Sequence, residues 1–140
     1  MKKKEIQGSC LCGAVRYEVT PPYQMFRYCH CPRCRKHTGS AHACNLFVQP
    51  EQLKWLAGEQ DVTRFDLPEA KRFARCFCNT CGSPVPFRSR DGTVTVIPAG
   101  SLDDDPGVLP TESIFWDARA PWYRLVDDLP KHAGYPPKSN

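Results

Sequence analysis

The residues best suited to chemistry are nine cysteines, most of them in short pairs. Cys29-His30-Cys31-Pro32-Arg33-Cys34 places three thiols at C-x-C-x-x-C spacing. Side chains alternate along an extended segment, so Cys29 and Cys31 point to one face. Pro32 can then open a tight turn that returns Cys34 toward the same point. Thiolates gathered this way suit a soft, tetrahedral ion such as zinc. Two further pairs, Cys10-x-Cys12 and Cys78-x-x-Cys81, lie far apart in the chain. Pairs of this kind commonly join in a closed four-thiolate structural site. Here such a site would clamp the N-terminal strand to the second half of a sheet. Thiols this close in sequence are poorly placed for disulfides and well placed for metal.

Three ligands from one segment leave a fourth position. Cys76, Cys44 or His30 could close it, or it stays open to water or substrate, as catalytic zinc sites keep it. Cys76 is two residues from Cys78, so in a strand the two thiols share a face and Cys76 competes for either metal. His30 stands between two ligands and should point away from them, as a hydrogen-bonding or surface histidine. Cys44 alternates with Leu46 and Val48 and reads as core, while His37, His42 and His132 carry no pairing signal. Arg33, Arg35 and Lys36 surround the triad, either as a solvated basic face or as a cradle for an acidic ligand. Three thiolates on a dication leave one net negative charge, which nearby cations stabilise.

The elements that must position these thiols are short. Ala14 to Val19 alternates with Val15, Tyr17 and Val19 on one face, the pattern of a half-buried strand. Thr20-Pro21-Pro22 ends it. Met25 to Tyr28 is a second strand that delivers Cys29. Arg33 to Gly39 has the length of a helical turn with Gly39 as its stop. Ala43 to Val48 reads as a strand, and Glu51 to Leu56 as either a helical turn or an edge strand. After a turn at Gly58 to Asp61, Val62 to Leu67 and Lys71 to Phe77 are extended, the latter alternating around Phe73, Arg75 and Phe77. Val85 to Arg88 and Thr93 to Ile97 flank Arg90-Asp91-Gly92, a hairpin signal. Residues 101 to 107 form an acidic loop. Ile114 to Trp116 and Trp122 to Leu125 are short apolar pieces. Cys10-x-Cys12-Gly13-x-Val15 faintly echoes Cys78-x-x-Cys81-Gly82-x-x-Val85: a paired-thiol turn runs through Gly into a strand. Many short strands with almost no helical period predict an all-β domain.

With 140 residues the chain has the length of one domain, with a core over about residues 6 to 130 and a loose tail at 136 to 140. Apolar residues make up 41%, enough for a globular core rather than disorder. The net charge of +4 is too weak and dispersed to argue for nucleic acid. No apolar run follows the N-terminal lysines, so no signal peptide is expected, and no stretch is long enough to cross a bilayer. Reduced, metal-binding thiols point to the cytoplasm.

Longer motifs add a resemblance. Gly8-Ser9-Cys10-Leu11-Cys12-Gly13-Ala14-Val15-Arg16-Tyr17, Cys29-His30-Cys31-Pro32-Arg33-Cys34-Arg35-Lys36-His37-Thr38-Gly39-Ser40-Ala41 and Arg75-Cys76-Phe77-Cys78-Asn79-Thr80-Cys81-Gly82-Ser83 are similar to three ordered motifs of one family. Gly100-Ser101-Leu102-Asp103-Asp104 and Ala120-Pro121-Trp122 match its late markers. The chain thus resembles, over roughly residues 8 to 130, the glutathione-dependent formaldehyde-activating enzymes, a family that includes centromere protein V. The resemblance implies a Mss4-like, all-β arrangement of packed sheets and two zinc ions. The structural zinc would fall on Cys10, Cys12, Cys78 and Cys81. The second would fall on Cys29, Cys31 and Cys34, with its fourth place available to a thiol. It implies a carbon-sulfur lyase that joins glutathione and formaldehyde, or a related aldehyde, to give S-hydroxymethylglutathione. Arg33, Arg35 and Lys36 would then meet the glutathione carboxylates. Ser113, where the family is expected to carry His, and the added thiol Cys76 depart from the pattern. A non-catalytic zinc module or thiol carrier is the alternative. A chromatin role would want a long basic stretch that this sequence does not have.

Overall fold

Val15, Tyr17 and Val19 are fully buried, as their alternation predicts. In the computed structural model, which describes residues 4–124 and 129–138, Tyr17 and Val19 enter one core cluster from a short strand, while Val15, just before that strand, packs in another. The strands are β1 (Ile6–Ser9), β2 (Arg16–Val19), β3 (Met25–Cys29), β4 (Ala43–Val48), β5 (Leu53–Ala57) and β6 (Val62–Asp66). They continue as β7 (Ala74–Cys78), β8 (Pro84–Val85), β9 (Phe87–Arg88), β10 (Thr95–Pro98) and β11 (Glu112–Ile114). Among the described residues one α-helix, α1 (Pro32–Thr38), interrupts them, and the remaining helical pieces are single 3-10 turns. The expected all-β architecture of short sheets is the one observed.

Three sheets form, in the orders β1-β2-β5, β11-β3-β4-β10-β9 and β6-β7-β8. All pairings are antiparallel except β11 with β3. The central five-stranded sheet has a core on each face because its side chains alternate. Leu46, Val48 and Ile97 pack with Ile6, Tyr17 and Val19 of the first sheet. Val96 and Phe87 pack the other way, with Ala74, Cys76, Cys78 and Val85 of the third.

The Arg90-Asp91-Gly92 hairpin joins β9 to β10, with Val96 opposite Phe87. Asp91 fixes its turn by accepting from Ser89 Oγ, Thr93 Oγ1 and the Thr93 N–H. The segment over Glu51 to Leu56 contains both alternatives, a 3-10 turn at Pro50–Gln52 followed by edge strand β5. Cys44 shares the expected strand but is only half-buried, with its Sγ 3.6 Å from His42 Nδ1. The apolar piece at Trp122 to Leu125 runs past the described residues at Leu125, and the tail does so at Ser139 and Asn140. No helix among the described residues is long and apolar enough to cross a membrane.

Candidate metal centres

The first thiol cluster is built by two turns of the same design. The Gly13 N–H closes on the Cys10 carbonyl at 3.1 Å, and the Gly82 N–H on the Cys78 carbonyl at 2.7 Å. Both glycines take left-handed φ, 81° and 76°, which lets each chain reverse directly after its last thiol. The sequence echo between the two segments is therefore one of backbone geometry. The Leu11 N–H donates to Ser83 Oγ at 3.1 Å and ties one turn to the other.

Cys10, Cys12, Cys78 and Cys81 bring their sulfurs within 4.8 Å of one another. Cys12 Sγ is 3.6 Å from Cys10 Sγ and 3.8 Å from Cys78 Sγ. A tetrahedron of sulfurs about 2.3 Å from a zinc ion has edges of about 3.8 Å, so the spacing fits. Backbone donors already point at the sulfurs: Val15 N–H to Cys10 at 3.2 Å and Thr80 N–H to Cys78 at 3.4 Å. Such donors stabilise thiolate and orient the ligands. Cys81 is pushed down to about 5, first by the Ser83 hydroxyl.

The second cluster sits where β3 becomes α1. Cys29 is the last residue of β3, Cys31 is the N-cap of α1 and Cys34 lies in its first turn. Cys31 does the work usual for Ser or Asp, since its Sγ accepts the Cys34 N–H at 3.3 Å. Pro32 occupies the first turn, and Gly39 ends the helix at φ 66° with its N–H on the Arg35 carbonyl. The expected turn with a glycine stop is thus a short capped helix. Opposite Cys29 in register stands Ala43, whose small side chain leaves space for the thiols.

The Sγ atoms of Cys29, Cys31 and Cys34 lie within 4.8 Å of one another. Cys76, Cys44 and His30 do not complete a four-donor set with them at that reach among the described residues. Cys76 instead lies in the core between the central and third sheets. Within the triad Cys29 is held down to about 6, chiefly by its hydrogen bond with Cys34, with the Arg75 charge adding to the effect. Cys34, the other member of that bond, is pushed up.

Two features were not read from the pattern. His30 does turn away from the thiols, but it is neither at the surface nor hydrogen-bonded. It is fully buried, and both ring nitrogens lack a partner among the described residues. Rings of His42, Trp116 and Tyr123 surround it at centroid distances of 5.0, 5.1 and 5.0 Å. Trp116 and Tyr123 come from the far end of the chain, so local alternation could not reveal that cover. Ser113, one residue before Ile114, pairs with Tyr28 across β11 and β3 and is exposed.

The second feature is Arg75. Its alternation with Phe73 and Phe77 marked a strand face but not what that face meets. Arg75 is 4% exposed, and its Nη2 donates to Cys34 Sγ at 3.2 Å. Its guanidinium lies over Phe73 at 4.7 Å and Phe87 at 4.9 Å from the ring centroids. Burial followed by the Arg75 charge pushes His37 on α1 down to about 4, so that imidazole is neutral at pH 7.

The mostly β scaffold thus carries a four-thiol cluster and a separate three-thiol cluster, each of which could hold a metal ion. Residues 5–118 match the family described as glutathione-dependent formaldehyde-activating enzyme, and the chain belongs to that family. A Halomonas elongata protein whose name provisionally assigns it to the same enzymes is 46% identical over 43 residues. That alignment covers 29% of this chain and 27% of the relative, so the chain matches about a quarter of that protein's length. A Rhodobacter sphaeroides protein of known crystal structure superposes with a TM-score of 0.60 at 24% identity. It covers 75% of this chain and 98% of its own, and this likeness concerns the fold.

Proposed function

We propose that the chain is an enzyme of thiol–aldehyde chemistry, with a small thiol of the glutathione type as one substrate and formaldehyde or a related aldehyde as the other. Cys29, Cys31 and Cys34 would hold a zinc ion whose fourth position takes the thiol. Cys10, Cys12, Cys78 and Cys81 would hold a second, structural zinc. The observation that carries this reading is the triad itself: three convergent sulfurs with no fourth protein donor in reach among the described residues. A zinc ion bound there supplies acidification of a thiol and holds it as thiolate.

The chain's own residues account for the rest. Arg35 and Lys36 line a cavity of about 250 Å³ beside the triad's helix, with Pro32, Gly39, Ser40 and Trp122. Arg35 Nε is buried without a partner among the described residues. Two cations and an aromatic wall suit the carboxylates of a peptide-like thiol. Arg33 takes no part in that lining and lies over the Phe73 ring at 6.0 Å. Sulfur then forms a bond to the carbonyl carbon, and the proton lost by the thiol goes to the carbonyl oxygen, giving the hydroxymethyl thioether. The protein's share is mainly proximity.

Calorimetric titration of the zinc-loaded protein with glutathione and with S-methylglutathione tests the thiol as ligand. Glutathione is expected to bind at least about tenfold more tightly, because only it can present a thiolate. Equal binding of the two would remove the chemical basis of this function.

A further inference from the structure

We propose that Arg75 is the buried counter-charge and positioning residue of the second thiol cluster, setting it to accept an anionic fourth ligand. The inference rests on the metal-holding role given above to Cys29, Cys31 and Cys34.

A buried cation needs a partner or it costs several kcal/mol. Among the described residues no carboxylate pairs with Arg75. Its Nη2 donates to Cys34 Sγ at 3.2 Å, and among the described residues its Nε has no partner. His37 faces the same guanidinium as a neutral ring and compensates nothing. The anions available to Arg75 are therefore the thiolates of the triad.

Charge arithmetic then assigns the role. Three thiolates around a dication carry one negative charge, and Arg75 brings the buried group to neutrality. A neutral fourth ligand leaves it neutral, and a thiolate adds one charge. Without Arg75 the same thiolate would give two uncompensated negative charges in a site whose Cys29 and Cys34 are each 4% exposed. Loss of Arg75 therefore penalises an anionic ligand more than a neutral one. The Phe73 and Phe87 rings clamp the guanidinium plane, so the donor stays aimed at Cys34.

The test uses the full chain loaded with cobalt, whose absorption reports thiolate ligation and the fourth ligand. Arg75→Gln and Arg75→Lys are compared with the parent by chelator competition, then titrated with glutathione and with imidazole as a neutral donor. In Arg75→Gln the more labile metal is expected to bind about tenfold to a hundredfold more weakly, with the tighter metal unchanged. Glutathione affinity should fall by a larger factor than imidazole affinity. Arg75→Lys, which keeps the charge, should recover most of the glutathione preference. Two results would overturn the inference alone: a Gln variant holding both metals like the parent, or equal losses for glutathione and imidazole, which would make Arg75 a brace. Should the Gln variant not fold, the Lys variant decides, since a Lys variant that loses the glutathione preference contradicts a charge role. A parent that takes up only one metal overturns the triad's function as well, so the two failures are distinguishable.

Discussion

Cys78→Ser is expected to lower the melting temperature by more than about 10 °C and to release the tighter metal. Cys78 is fully buried at the end of β7, with its sulfur 3.8 Å from that of Cys12. It holds the N-terminal turn, which precedes β2, against the third sheet. A structural zinc contributes about 10–16 kcal/mol to folding in isolated peptides, and a domain supplies part of that itself. Losing one thiolate still removes several kcal/mol and leaves a hydroxyl in an apolar core. For a chain of this size each kcal/mol moves the midpoint by roughly 3 °C. Scanning calorimetry with metal analysis on the same sample checks the result. A variant that melts like the parent and keeps all its metal would contradict a structural four-thiolate site.

Cys31→Ser should have the reverse profile: the fold stays and the second metal goes. Cys31 caps α1, and serine is among the best N-cap residues, so the local backbone keeps its hydrogen bond from the Cys34 N–H. What is lost is a soft anionic donor, and two thiolates from one short segment hold zinc poorly. The metal content is expected to fall from about two ions per chain to about one, with a change in melting temperature of only a few degrees and loss of glutathione binding. Retention of both ions would mean that Cys31 is not a ligand.

These two variants separate what was legible in the sequence from what was not. The burial of Val15, Tyr17 and Val19, the β9–β10 hairpin and the Gly39 stop are local features, governed by period and turn chemistry, and they emerged where expected, although Val15 packs in a different core cluster from the other two. Convergence of Cys10 and Cys12 with Cys78 and Cys81 is not local, but the two paired-thiol spacings announced it, because such pairs commonly share one ion. His30 and Arg75 are different cases. Arg75 lies within β7 and His30 directly follows β3, and the surroundings of each come from residues brought in by tertiary packing: Trp116 and Tyr123 around the imidazole, Phe87 and Cys34 around the guanidinium. Alternation says which way such a side chain points and nothing of what waits there. The same limit applied to the basic run at Arg33, Arg35 and Lys36, where the helix sends Arg35 and Lys36 to one cavity and Arg33 to the Phe73 ring.

Zinc X-ray absorption with and without glutathione decides whether Cys29, Cys31 and Cys34 leave an open metal position that a substrate thiol completes. One closed site and one three-thiolate site give an average of about 3.5 sulfurs per zinc, rising to about 4 when glutathione is added. An average of about 4 before any glutathione, or one that stays at about 3.5 after saturation with it, would contradict an open position filled by the thiol.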